Sequence, residues 1–216
     1  MSYIIVVARY NENIEWLNNE MENCIIYNKG NKLNIKNEII LENVGRESES
    51  YLQYIIKNYH NLPDVIVFTQ AKISDHKFIN PKNLNDINYI INIKNEALQY
   101  SESQNYYLHD STSEKLNNCW NKEWNLINGE YFLKDNYKNN KCITFLEWFE
   151  TIININYPTS LVKIYCNGIF AIKKEKILNN HIEYYKKLLL QVNHHINPTE
   201  GHFLERSWYY IFSPHN

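Results

Sequence analysis

The sequence predicts an α/β fold with a mainly parallel central sheet and helices on both faces. Two observations carry that expectation. Short apolar runs rich in β-branched residues recur at 3–8 (YIIVVA), 24–27 (CIIY), 38–41 (EIIL) and 65–69 (VIVFT). Strands that are apolar throughout, rather than alternating, are those buried on both faces. Helical spacing separates two pairs of them, so the first 76 residues run strand, helix, strand, strand, helix, strand, the order of a layered α/β sheet.

The elements follow in chain order. The first strand stops at the polar run Arg9-Tyr10-Asn11-Glu12-Asn13. Ile14, Trp16, Leu17 and Met21 then predict a helix capped by Asn11 or Asn13. The second strand ends at Asn28-Lys29-Gly30 and the third at Glu42-Asn43-Val44-Gly45-Arg46. Tyr51, Leu52, Ile55, Ile56 and Tyr59 place a helix over 47–59, and Leu62-Pro63-Asp64 is a turn into the fourth strand. A helix is expected over 84–98 and an amphipathic one over 144–153, whose Phe145, Trp148, Phe149 and Ile152 read as core. Between them, around 100–140, lies a stretch rich in Asn, Lys and Tyr, read as a variable insertion in a single domain spanning 1–216. Strands follow at 161–165 and, after a turn at Asn167-Gly168, at 169–172. One helix is expected over 176–192 and a last one from Glu200, with Leu204, Trp208 and Ile211 on its apolar side.

Composition excludes several functions. At 216 residues the chain buries a core without disulfides or metal. Net charge is −2 with no Lys/Arg block, which argues against a duplex nucleic-acid binder. No apolar run reaches the roughly 20 residues of a membrane span, and the start, MSYIIVVARYNE, lacks the basic region of a signal peptide. Cys24, Cys119, Cys142 and Cys166 show no CxxC spacing, so reduced thiols are expected. The only N-x-S/T triplet, at Asn197, is spoiled by Pro198. A cytoplasmic protein is the resulting expectation. The chain holds 35 Asn and 29 Ile but 3 Arg and 5 Gly, the signature of an A/T-rich coding sequence. Arginines and glycines kept against that bias mark positions with a physical requirement: Arg9, Arg46 and Arg206, with Gly30, Gly45, Gly168 and Gly201.

Ligands of parallel sheets bind outside the carboxyl ends of the strands, and there the polar clusters fall. Arg46 follows Gly45 and opens a helix. Its guanidinium suits a diphosphate, to which the helix start adds backbone donors; a salt bridge to a carboxylate is the alternative. Asn43 and Gln70 lie at neighbouring strand ends. Arg9 and Asn11 are candidates to hold a nucleoside, with Tyr10 as a stacking face, or Arg9 caps the strand structurally. Asp75, His76 and His202 are candidate ligands for Mn²⁺ or Mg²⁺, ions that use few protein donors plus substrate oxygens. His202 and Glu205 share a helix face at i,i+3. Glu205 and Glu200 are candidate general bases. GxGxxG, GxxxxGK[ST] and GxSxG motifs are absent.

VVARYNENIEWL, IIYNKG, NVGRESESYLQYIIKNY, LPDVIVFTQ and EGHFLERSWYYIF together resemble the DUF3431 family, strongly over 3–80 and more weakly over 160–212. That family, also met in large DNA viruses, resembles divergent GT-A glycosyltransferases. The resemblance implies a GT-A/Rossmann-like architecture binding a nucleotide-diphospho sugar, a glycan or small-molecule acceptor, and residence in the host cytoplasm if the protein is viral. It aligns His202 with a metal-completing histidine, whereas the Asp-x-Asp metal motif expected after the fourth strand is missing, and Gln70, or Asp75-His76 beyond it, sits where it would be. Two alternatives accompany it: a GT-A-like module that binds a nucleotide or glycan without turnover, and a metal-dependent hydrolase using Asp75, His76, His202 and Glu205.

Overall fold

The apolar runs become strands of one twisted sheet in the computed structural model, which describes residues 1–73, 85–104, 106–110, 145–158 and 161–213. The elements are β1 (Tyr3–Arg9), a 3₁₀ helix (Glu15–Asn23), β2 (Cys24–Asn28), β3 (Glu38–Ile40), α1 (Arg46–Asn58), β4 (Val65–Gln70), α2 (Asp86–Tyr100), β5 (Tyr106–Asp110), α3 (Phe145–Trp148) running into a π-helical turn (Phe149–Ile153), β6 (Leu161–Tyr165), β7 (Phe170–Lys173), α4 (Lys174–Leu178), α5 (Ile182–Leu189) and α6 (Thr199–Ile211). The main sheet has the order β3-β2-β1-β4-β7, and β5 pairs with β6 separately. Pairing is parallel from β3 to β4, while β7 joins β4 antiparallel.

Both sheet faces are covered, as continuous apolar strands require. Successive side chains point to opposite faces. Val6, Ile66, Phe68, Phe170 and Ile172 face α1, α5 and α6, meeting Tyr51, Leu52, Tyr185, Leu204 and Trp208. Ile5, Val7, Ile26, Val65, Val67 and Ala171 face the 3₁₀ helix and α2, meeting Leu17, Tyr89, Ile90 and Ile93. An aromatic cluster fixes α1 and α6 against the sheet: ring centroids are 4.9 Å apart for Tyr51 and Phe68 and 5.8 Å for Phe170 and Trp208.

Three expected helices differ. The connection after β1 is a 3₁₀ helix whose N-cap, Ile14, provides no side-chain cap, and in which Leu17 is the buried residue. The helix over 144–153 switches from α to π and stops at Asn154, φ +65°. The helix over 176–192 is two helices. Asn180 interrupts it, donating from Nδ2 to the Ile211 carbonyl at 2.6 Å, and His181 caps α5 by accepting from the Glu183 N–H at 3.4 Å. The stretch 111–144 and the pair Asp75-His76 lie outside the described residues. Cys24 is a buried free thiol. Among the described residues no helix is long and apolar enough to cross a membrane.

Both outer strands are short or covered. β3 has three residues. Residues 101–103 lie along the outer edge of β7: Ser103 N donates to Ala171 O at 2.8 Å, Lys173 N to Ser101 O at 3.1 Å, and Ala171 N to the Ser103 hydroxyl at 3.1 Å.

Candidate functional site

The chain leaves β1 through the 3₁₀ helix on one face of the sheet to reach β2, and leaves β3 through α1 on the other face to reach β4. β1 and β4 are neighbours, and the strand order reverses between them. That reversal is the topological switch point, outside whose carboxyl ends doubly wound sheets open a crevice for ligand. A cleft of about 230 Å³ occupies it here. Ala8 and Arg9 from β1, Gln70 and Lys72 from the end of β4, and Arg46 and Glu47 from the start of α1 line it, together with Lys29, Asn43, Tyr10 and Glu12. A larger cleft of about 550 Å³ adjoins it through Tyr10, Glu12 and Lys72, and extends to Asn11, Trp16 and Asp86.

The start of α1 is set by an unusual backbone. Gly45 has φ +66° and Arg46 φ +53°, two left-handed residues in succession. Glycine adopts that region freely and arginine does so at a cost of about 1 kcal/mol. Gly45 also has no room for a side chain: a Cβ there would lie 2.5 Å from Glu49 Cβ and 2.9 Å from the Val192 carbonyl oxygen. Its N–H donates to the His195 carbonyl at 2.8 Å, tying the start of α1 to the loop before α6. Lys29 is buried and completes this corner, donating to the carbonyls of Val44 and Arg46 and pairing with Glu49 at 2.9 Å. Burial lowers its pKa, and Glu49 opposes that shift.

Arg46 is the half-exposed member of a polar cluster buried between α1 and α6. Its Nη1 lies against both ring nitrogens of His202, 3.0 Å from Nε2; it donates to Nδ1, which leaves His202 Nε2–H to donate to Asn197 Oδ1 at 2.9 Å. The imidazole is therefore neutral, its two nitrogens used as one acceptor and one donor. Burial, then Arg46 and Arg206, bring its pKa down to about 2. Glu205 Oε2 stands 3.8 Å from Arg46 Nη1, 3.5 Å from Arg206 Nη1 and 4.0 Å from His202 Nδ1. Glu47 is buried with its Oε2 at 3.6 Å from Arg46 Nε, beyond hydrogen-bond length. Its Oε1 has no hydrogen-bond partner among the described residues. Burial raises the Glu47 pKa, Arg46 opposes and Glu205 adds to the rise. The Asn167-Gly168 turn lies near both acids: a Cβ at Gly168 would be in ordinary contact, 3.7 Å from Glu205 Cγ and 3.8 Å from Glu47 Cγ. Gln70 holds that turn, its amide donating to the Asn167 carbonyl at 2.9 Å.

The residues singled out by sequence divide into three groups. Arg46, His202 and Glu205, up to 159 positions apart, converge, and Asn43, Gln70, Arg9 and Tyr10 line the same crevice. Arg9 is also a structural clamp: its Nε donates to Glu12 O at 2.9 Å, and its Nη1 to Asn28 Oδ1 at 2.8 Å, Asn31 O at 3.0 Å and Tyr10 O at 3.1 Å. Asn11 lines the adjoining cleft and accepts from Asn31 N at 2.8 Å, while Tyr10 is exposed between the two. Glu200 lies on the first turn of α6 and, like His202 and Glu205, is not among the residues that line the crevice. Among the described residues no three His, Cys, Asp or Glu side chains are grouped to hold a metal. Both nitrogens of His202 are turned to protein partners. Glu47 and Lys29 are additions that sequence reasoning missed. An acid in the first turn of a helix has an ordinary explanation in the helix dipole, which hid Glu47. Lys29 stands at a strand's carboxyl end, and that position was its available signal.

A family model described as "Protein of unknown function (DUF3431)" matches residues 4–216. The chain belongs to the DUF3431 family. No curated protein and no solved structure matches it. The DUF3431 match takes in every residue of the crevice and of the cluster beneath it.

Proposed function

We propose that the crevice binds the diphosphate of a nucleotide sugar and that the protein transfers the sugar to a hydroxyl acceptor. The observation that carries this reading is the placement of Arg46. Its side chain, 30% exposed, enters the crevice at the switch point of the sheet, beside the first turn of α1. Guanidinium and helix start together suit a phosphate group. The strand order β3-β2-β1-β4 with an antiparallel β7 is compatible with the GT-A architecture that the sequence suggests. Tyr10, on the wall shared with the larger cleft, is the stacking face for a nucleoside base.

Departure of a nucleoside diphosphate builds negative charge on its bridging oxygen, and fixed positive groups aimed there lower the barrier. Arg46 and Lys72 both line the crevice and supply that charge. The described residues do not fit a divalent ion, and no step is assigned to one. Of the two acids on α6, Glu205 is the nearer to Arg46 and is the candidate base for the acceptor hydroxyl.

Thermal-shift measurements with UDP-, GDP-, CDP- and dTDP-sugars, each with and without Mn²⁺, test the proposal. Stabilisation by one donor in the natural protein, abolished in both Arg46→Ala and Arg46→Gln, is the expected result. No shift with any donor overturns it. A second reading, binding without turnover, is favoured by the lack of an Asp-x-Asp after β4. A donor that binds and survives prolonged incubation with acceptors selects that reading.

A further inference from the structure

Glu47 poses a contradiction for a phosphate crevice: a carboxylate facing the anion would repel it. The contradiction is resolved by what surrounds the side chain. A buried ionised carboxylate needs hydrogen bonds or a close cation. Glu47 is 6% exposed, its Oε1 has no hydrogen-bond partner among the described residues, and Arg46 stays 3.6 Å from Oε2. Lys29 pairs with Glu49 at 2.9 Å and Arg206 stands 3.5 Å from Glu205; Lys29 and the backbone N–H of Glu47 oppose the rise in its pKa, and burial outweighs them. From α6, Glu205 adds a second negative charge next to it, and His202 is neutral. From its own helix the buried Tyr51 hydroxyl, itself without a hydrogen-bond partner among the described residues, brings no positive charge. Arg9, Glu12 and Lys72 are the other charged residues lining the crevice besides Arg46 and Lys29.

We propose that Glu47 lines the crevice as a neutral carboxylic acid and donates its O–H to a phosphate oxygen of the bound ligand. A carboxylic acid kept neutral by burial can donate a hydrogen bond to a developing or fixed anion. It explains the unpartnered oxygen: the acceptor is the ligand. Two consecutive residues then grip one diphosphate differently, Arg46 as a fixed cation and Glu47 as a donor whose strength depends on pH. The proposal rests on the phosphate reading above.

UDP-glucose is a suitable probe because both its phosphates are diesters whose charge is constant between pH 5 and pH 9. Its affinity is measured by calorimetry over that range for the natural protein, Glu47→Gln and Glu47→Ala. The natural protein is expected to bind more weakly as pH rises and Glu47 ionises. Glu47→Gln, which keeps an N–H donor, binds within a few-fold at neutral pH and loses the pH dependence. Glu47→Ala binds about tenfold or more weakly, the scale of one hydrogen bond to a charged group. Binding by the natural protein that neither substitution nor pH alters overturns the donor role and leaves the phosphate reading intact. No binding by the natural protein overturns both. A second measurement needs no ligand: carboxyl carbon NMR of the natural protein, assigned with Glu47→Gln. A Glu47 signal titrating in the ordinary carboxylate range overturns the proposal; one titrating above it supports the neutral acid.

Discussion

The guanidinium of Arg46 donates a hydrogen bond to Nδ1 of His202, joining the first turn of α1 to α6 across 156 positions of sequence. A neutral imidazole is required there, because the cation beside it opposes protonation. Its removal leaves a partly buried donor without its acceptor. His202→Ala is expected to cost about 1–3 kcal/mol, read as a lowered urea midpoint.

The same histidine gives stability a pH dependence with a definite sign. Its folded pKa, about 2, lies below the ordinary value of 6.5. Between those values the unfolded chain binds the proton and the folded one does not. Stability is therefore complete above pH 6.5 and falls as pH drops below it, by at most about 1.4 kcal/mol per unit. Urea melts at pH 7 and pH 5 should show the loss, and His202→Gln should remove most of it. An equal loss in that variant shows that other groups carry the dependence.

Arg46 combines a functional side chain with a costly backbone, and two substitutions separate them. Arg46→Gly removes the guanidinium and also the left-handed penalty at φ +53°. Arg46→Ala removes the guanidinium alone. The glycine variant is expected to be more stable by about 1 kcal/mol, with both equally deficient in nucleotide-sugar binding. Equal melting temperatures refute the backbone argument.

Gly45 admits no such relief. A methyl group there meets Glu49 Cβ and a carbonyl oxygen at distances that force one of them to move, at a positive φ. Gly45→Ala is expected to destabilise by about 2 kcal/mol or more. Normal stability in that variant means that the Gly45–Arg46 corner is not held as described.

Arg9 separates architecture from binding. Its Nε and Nη1 serve four acceptors in the loops after β1 and β2, a fork that lysine cannot reproduce. Arg9→Lys should lower the denaturation midpoint markedly, while Tyr10→Ala, at a half-exposed ring, should weaken nucleotide-sugar binding and leave stability near its original value. The reverse pattern assigns Arg9 to the ligand.

Where local pattern decides the outcome, the sequence was sufficient. The β-branched runs became β1, β2 and β4 because burial on both faces selects such residues, and Tyr51, Leu52 and Ile55 placed α1 by spacing. The break at Asn180 was not legible, because it depends on the Ile211 carbonyl, 31 positions away. The site divided in the same way. Rare arginine and glycine pointed to Arg46 and Gly45, and i,i+3 spacing pointed to His202 with Glu205. Glu47 stayed hidden because its importance lies in burial and in a missing partner, which spacing does not encode.

The treatment of the sheet's two margins bears on how the molecule meets other proteins. β3 offers three residues, and the outer side of β7 is taken by residues 101–103. Long unpaired margins are templates for adding a strand from another chain, and short or covered ones suppress that. The sheet therefore resists templated aggregation and strand donation at both margins. At the five-stranded sheet, a macromolecular partner would be recognised through side chains rather than through backbone pairing.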